Sequence, residues 1–182
     1  MSVASFIAAA RNAVAGDPAR AQVLFTAQGT LVGVTEVDIR TGVHTFKVDE
    51  PRALGGENVA ANPMQYALAS LGSCQAITYR LWAVQLGICF DRLTVRVEGD
   101  LDTRGLLGFD DTVRPGFTAV RVEVTVAGPE SAERYAELAA AVDEHCPVLD
   151  LFKNPVPVTR TIATPGSGAA VGHHVADRVP DQ

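Results

Sequence analysis

The sequence has few aromatic residues, no cluster of basic residues and no long apolar run. Aromatic residues make up 6% of the chain and include one tryptophan, Trp82, so the chain lacks the stacking platform that single-stranded nucleic acids bind. The formal net charge is −6 and the arginines are scattered, which argues against a phosphate-binding surface. No apolar stretch approaches the roughly 20 residues that span a bilayer. We therefore predict neither a nucleic-acid partner nor a membrane-spanning helix.

Cysteines are also scarce, and their number is odd. Three cysteines do not predict a disulfide framework, because such a framework pairs cysteines in even numbers. The stretch Ala13-Val14-Ala15 superficially resembles a signal-peptide cleavage site, but Arg11 and Asn12 interrupt the apolar residues before it and no basic region precedes them. These features predict a cytoplasmic protein without a signal peptide, whose thiols stay reduced.

The chain is long enough for one domain with a sizeable core, and its composition divides it into three parts. Residues 1–20 form an N-terminal helical segment, because apolar residues recur at helical spacing over residues 2–14. Residues 21–162 carry the main domain. Residues 163–182 are rich in glycine, alanine and serine, which predicts a flexible C-terminal tail.

Runs of apolar residues that alternate with polar ones predict an antiparallel sheet with one wet and one buried face. The predicted strands are residues 23–26, 32–39, 43–48, 93–101, 117–126 and 156–162. A helix is predicted from Pro63 to about Leu86, because Asn62 is a favourable N-cap, proline suits the first helical position and Gly87 is a C-terminal cap. This helix is apolar on most sides, which predicts that it is central and buried. A second helix over 129–145 completes an α+β fold.

Two of the cysteines occupy contexts that suggest chemistry. Cys74 lies in the middle of the first long helix and Cys146 at the end of the second, 72 residues later, so only the fold can bring them together. A thiol buried in apolar surroundings is inert, so Cys74 needs a nearby cation to act as a nucleophile. The candidate cations are Arg52 before the helix, Arg40 near a strand end, and Arg104 and Arg114 in the central loop. Core packing and a dithiol redox couple are both open at this point.

Several separated motifs follow one another along residues 40–162. They are Asn62-Pro63 with Ala69-Ser70-Leu71-Gly72-Ser73-Cys74, then Cys146-Pro147-Val148, and then Asn154-Pro155-Val156-Pro157-Val158. Further motifs are Val48-Asp49-Glu50-Pro51, Leu54-Gly55-Gly56, and Glu98-Gly99-Asp100-Leu101-Asp102 with Arg104-Gly105. With these motifs, the chain resembles the OsmC/organic hydroperoxide resistance family, and its OsmC-like branch in particular.

The resemblance implies an intertwined homodimer in which curved antiparallel sheets pack around central helices. It also implies a thiol-dependent peroxidase that needs no cofactor or metal. Cys74 matches the peroxidatic position, which attacks an organic hydroperoxide and becomes a sulfenic acid while an alcohol leaves. Cys146 matches the resolving position, which forms a disulfide that an external dithiol then reduces. Arg52 is our candidate for the arginine that activates Cys74. A pocket lined by Leu68, Leu71, Ile77 and Phe117 would favour alkyl hydroperoxides over hydrogen peroxide.

One position departs from the family's pattern. Peroxidases of the family place a glutamate directly after the Asn-Pro step, where it pairs with the activating arginine, but this chain has Met64 there. A thioether cannot make the charge-assisted contact that holds a guanidinium. Two alternatives therefore stay open. One is a dithiol redox protein without peroxidase activity, and the other is a dimer that binds an apolar ligand on the same scaffold.

Overall fold

A computed structural model describes residues 2–164 of the chain and the backbone of residues 171–174. The helices are α1 (Val3–Gly16), α2 (Pro63–Leu86), α3 (Thr103–Leu106), α4 (Ala132–His145) and α5 (Pro147–Lys153). The strands are β1 (Gln28–Leu31), β2 (Val37–Thr41), β3 (His44–Val48), β4 (Arg92–Leu101), β5 (Phe117–Ala127), β6 (Thr159–Ile162) and β7 (Val171–His174). Short 3₁₀ turns lie at Pro18–Ala21 and Arg52–Leu54.

All of the described strands pair antiparallel. The chain forms one sheet in the order β1-β2-β3, a long hairpin of β4 and β5, and a short pair of β6 and β7. Helix α2 packs on β4 and on α4. This arrangement confirms the α+β class with antiparallel sheets. The intertwined dimer stays a prediction, because the structure contains one chain.

Helix α2 has the boundaries that its sequence predicts. The Asn62 side chain accepts a hydrogen bond from the Gln65 N–H at 2.9 Å, and the Gln65 side chain accepts one from the Asn62 N–H at 2.9 Å. This reciprocal cap satisfies two backbone donors that a helix start otherwise leaves unpaired. At the other end, Gly87 adopts the left-handed conformation with φ +62°, which glycine tolerates best.

The core lies where α2 packs against α4. Tyr79 of α2 is buried in one cluster with Leu138 and Val142 of α4. Burying one such side chain contributes about 1.5–3 kcal/mol to folding. The opposite face of α2 is uncovered in the single chain, where Ile77 is 61% exposed. The prediction that α2 is buried therefore holds where it contacts β4, α4 and α5, and it fails on the face that carries Ile77.

Three local predictions were wrong. Residues 23–26 form no strand, because their side chains are exposed and their backbone has no neighbouring strand to pair with. The strand predicted over 32–39 begins only at Val37, because residues 32–36 form the tight turn between β1 and β2. In this turn the N–H groups of Val32 and Gly33 both donate to the Glu36 carbonyl. Helix α5 was missed, because Pro147 ends α4 but also suits the first position of a new helix.

The C-terminal end of the described chain forms a short ladder. The strand predicted over 156–162 begins at Thr159, and it pairs with residues 171–174 from Thr159 opposite His174 to Ile162 opposite Val171. Most of the remaining segment that we predict to be flexible, residues 165–170 and 175–182, lies outside the described residues.

A buried carboxylate organises the loop that leads into α2. Asp49 is 1% exposed and accepts hydrogen bonds from the Thr35 hydroxyl at 2.6 Å and from the N–H groups of Glu50, Glu57 and Val59 at 2.9 to 3.1 Å. The Thr35 hydroxyl is the main reason that the pKa of Asp49 lies below its usual 3.8, and the three N–H groups lower it further. The loop thus wraps around one negative charge.

We expect Asp49→Asn to lower the thermal unfolding temperature at neutral pH, because an amide cannot accept all four hydrogen bonds. A carboxyl with a lowered pKa stabilises the fold above its unfolded pKa, and this stability is lost as the pH falls through the folded pKa. The difference in unfolding temperature between wild type and variant should therefore shrink as the pH falls below about 4. Thermal melts followed by circular dichroism at pH 7 and pH 3 measure this difference, and the exposed Asp111→Asn serves as the control. An unchanged melting temperature at pH 7 would contradict the role of Asp49.

Candidate active site

The fold brings the two predicted cysteines into contact. The sulfur atoms of Cys74 and Cys146 lie 3.5 Å apart, and the Cys146 S–H donates to the Cys74 sulfur. Both thiols are free. Cys146 is 3% exposed, whereas Cys74 is half-buried. A disulfide requires an S–S distance near 2.05 Å, so the pair needs to close by only about 1.5 Å to form one.

Each cysteine is held by the helices on which it lies. The Thr78 hydroxyl donates to the Cys74 carbonyl at 2.8 Å, one turn further along α2. Cys146 joins two helices, because its N–H donates to the Val142 carbonyl at the end of α4 and its carbonyl accepts from the Asp150 N–H in α5. The packing of α2 against α4 and α5 therefore places the two sulfur atoms together.

The environment of Cys146 favours its protonated form. Burial away from water raises the pKa of the Cys146 thiol above its ordinary value, and the neighbouring Cys74 raises it further. The N–H groups of Leu149 and Val148, at the start of α5, offset part of this effect. Cys146 therefore holds a proton at neutral pH, which suits its position as donor to Cys74.

A second contact joins the same helices near the sulfur pair. The rings of Trp82 and His145 lie with their centroids 4.1 Å apart. The His145 Nδ1–H donates to the Ala141 carbonyl at 2.8 Å, which fixes the tautomer of the ring. Sequence reasoning missed this pair, although His145 directly precedes Cys146 and Trp82 is the only tryptophan of the chain.

The structure does not bring Arg52 to the sulfur pair within one chain. Arg52 lies in the 3₁₀ turn before α2, where its side chain is 82% exposed and lies 3.9 Å from the Glu57 carboxylate. Among residues 2–164, no arginine donates a hydrogen bond to Cys74 or Cys146. The guanidinium of Arg104 contacts Asp102 at 2.6 Å and Asp110 at 3.5 Å. The role of Arg52 thus stays a prediction.

An open cleft of about 510 Å³ lies between α2, β5 and α5, and neither Cys74 nor Cys146 is among its described lining residues. Leu71, one turn before Cys74, and Leu149, three residues after Cys146, both line it. Of the predicted pocket residues, Leu71 and Phe117 line this cleft. Leu68 lines neighbouring pockets instead, and Ile77 lies on the exposed face of α2.

Met64 stands between this cleft and a smaller pocket of about 250 Å³, and it lines both. The smaller pocket also contains Glu50, whose carboxylate accepts a hydrogen bond from the Asn62 side chain at 3.4 Å. Glu50 is thus the carboxylate that shares a pocket with Met64.

A family model of OsmC-like proteins matches residues 55–161. The chain belongs to the OsmC-like family. Its fold is similar to that of an organic hydroperoxide resistance protein OsmC from Legionella pneumophila, described as a predicted redox protein. The two sequences are 25% identical, and the match covers 72% of this chain and 90% of that one with a TM-score of 0.57.

Other solved structures share the fold of this OsmC-like protein. An OsmC-like protein from Mycoplasma pneumoniae is 17% identical over 72% of this chain and 89% of its own, with a TM-score of 0.63. An organic hydroperoxide resistance protein from Elizabethkingia anophelis is 22% identical over the same shares, with a TM-score of 0.56. No curated protein matches the chain.

The described residues contain neither a metal site nor a membrane-spanning helix. Among them, no group of three or more His, Cys, Asp and Glu side chains is arranged to hold a metal ion. No helix in this part of the chain combines the length and the apolar character needed to cross a membrane.

We expect mild oxidation of the reduced protein to form an intramolecular disulfide between Cys74 and Cys146. Because Cys146 must lose its proton to react and its pKa is raised, the disulfide should form faster as the pH rises from 7 to 9. Mass spectrometry after thiol blocking measures the loss of two hydrogens, and peptide mapping locates the bond. Cys89→Ser, which removes the exposed third cysteine, is the matched control and should behave as wild type. A pairing that involves Cys89 would contradict the expected bond.

Proposed function

We propose that this OsmC-like protein is a thiol-dependent peroxidase that reduces organic hydroperoxides to alcohols. The observation that carries the proposal is the 3.5 Å contact between the sulfur atoms of Cys74 and Cys146, near a cleft with a largely apolar lining. The fold shared with organic hydroperoxide resistance proteins from two bacteria supports it.

In the first step, the Cys74 thiolate attacks the terminal oxygen of the hydroperoxide. An S–O bond forms as the O–O bond breaks, and the sulfur gives two electrons to the peroxide. The alkoxide takes up a proton and leaves as an alcohol, so Cys74 becomes a sulfenic acid. Cys74 suits this step because it is half-buried and lies one turn from Leu71 in the wall of the cleft.

In the second step, Cys146 resolves the sulfenic acid. Its sulfur attacks the Cys74 sulfur, an S–S bond forms as the S–O bond breaks, and the hydroxide leaves as water with the proton from Cys146. An external dithiol then reduces the disulfide by thiol–disulfide exchange and is itself oxidised. Since both thiols must return to the reduced state, we place the protein in the cytoplasm.

We also propose that the protein works as a homodimer. Large apolar side chains are exposed on α2, at Ile77 and Val84, and in the segment Val23-Leu24-Phe25. Contiguous apolar surface of this kind marks a protein interface. Arg52 lies in the loop before α2 with only a long contact to Glu57, so its guanidinium can turn toward a thiol in the assembled dimer.

A dithiol redox protein without peroxidase activity is the second candidate. The specific observation that favours it is Met64, which faces the cleft where the family's peroxidases carry a glutamate. Such a protein would keep the sulfur pair but exchange disulfides with another dithiol instead of reducing a peroxide.

Consumption of cumene hydroperoxide with a dithiol reductant separates the two candidates. We expect wild type to turn over, Cys74→Ser to be inactive and Cys146→Ser to stop after one turnover with Cys74 oxidised. Cys89→Ser is the control for loss of an unrelated thiol and should keep full activity. A wild type that forms the disulfide with a chemical oxidant but leaves the hydroperoxide intact would support the dithiol redox protein. A wild type whose Cys74 stays a thiol under both treatments would contradict both candidates.

We expect Arg52→Ala to lower kcat/KM for cumene hydroperoxide roughly 10²-fold, the effect of removing one charged or hydrogen-bonding group from a reacting centre. The loss should appear in the rate of sulfenic acid formation, because the guanidinium stabilises the Cys74 thiolate. Arg11→Ala, which removes an exposed arginine from α1, is the matched control. Equal rates in the two variants would contradict the assignment of Arg52.

A further inference from the structure

The cleft between α2, β5 and α5 carries positive charge without any negative charge. Arg114 and Lys153 line it, and no aspartate or glutamate is among its described lining residues. Neither cation makes an ion pair or a side-chain hydrogen bond with another residue of 2–164. The chain is acidic overall, and elsewhere Arg96, Arg104 and Arg121 each contact a carboxylate.

Most of the other side chains that line the cleft are apolar. Leu71 and Val120 line it, together with Phe117 and Phe152, whose stacked rings lie with their centroids 6.4 Å apart. Its volume of about 510 Å³ falls within the roughly 300–1,000 Å³ that small-molecule sites occupy. An apolar lining with a few polar groups at defined positions is the usual composition of such a site.

Lys153 and the sulfur pair lie at opposite ends of α5. Cys146 precedes the first residue of this helix and Lys153 is its last residue. Seven residues of helix correspond to about 10 Å along its axis. A ligand that lies along the cleft can therefore place an anionic group near Lys153 and its other end toward the sulfur atoms.

We propose that this cleft binds carboxylates that carry an apolar chain. Arg114 and Lys153 hold the carboxylate, since a guanidinium binds a carboxylate through two parallel hydrogen bonds, and the chain lies on Phe117, Val120 and Phe152. That such a molecule is also a substrate rests on the proposed peroxidase function, because its hydroperoxide group would face Cys74. Binding of the carboxylate in the cleft does not depend on peroxide chemistry.

Calorimetric titration of the full-length protein with octanoate and with 1-octanol tests the site, because the two probes share a chain length and differ in charge. We expect wild type to bind octanoate more tightly than octanol, with an octanoate affinity that weakens as salt is added. The double variant R114Q/K153Q should lose at least tenfold in octanoate affinity and keep its octanol affinity, which also reports that the cleft is folded. Arg11→Gln is the matched control for loss of a positive charge.

Equal affinities for the two probes, or an unchanged octanoate affinity in R114Q/K153Q, would overturn the proposal. A cleft that binds neither probe because a second copy of the chain covers it would also overturn it. The comparison with cumene hydroperoxide turnover keeps the two proposals separate. Turnover without octanoate binding would leave the peroxidase standing and remove this site, whereas octanoate binding without turnover would do the reverse.

Discussion

The packing of α2 against α4 is the interaction on which the rest of the molecule depends. Tyr79 of α2 is buried in one cluster with Leu138 and Val142 of α4 at this contact. Cys146 belongs to the same cluster, and Cys74 packs against it. The two sulfur atoms belong to residues that are far apart in the chain, so no local structure holds them within 3.5 Å of one another. A change in how the helices pack would separate the sulfur atoms and alter the cleft, because α2 and α5 both form its walls.

The sequence predicts best the features that depend on neighbouring residues. The boundaries of α2 followed from Asn62, Pro63 and Gly87, because helix caps are local hydrogen-bonded structures. The strands β4 and β5 followed from alternation along a single hairpin. Residues 23–26 and the turn after Val32 were predicted wrongly, because strand formation depends on a pairing neighbour that an apolar run alone does not specify.

The candidate site was predictable to a similar extent. The motifs around Cys74 and Cys146 indicated a redox pair, and the structure places the two thiols in contact. The charged groups of the cleft were not predictable, because Arg114 lies in a long loop and Lys153 on a helix that the sequence analysis missed. The position of the Arg52 guanidinium was equally hard to predict. Its side chain is exposed in the single chain, so its orientation depends on what packs against it.

The contact between Trp82 and His145 has a spectroscopic consequence. Because the chain has one tryptophan, its tryptophan fluorescence comes from a single place, the junction between α2 and the end of α4. The imidazole that contacts the indole belongs to the residue directly before Cys146, so this emission originates where the helix that leads to Cys146 ends. The chain thus contains a built-in optical probe of this junction, and no dye needs to be attached to observe it.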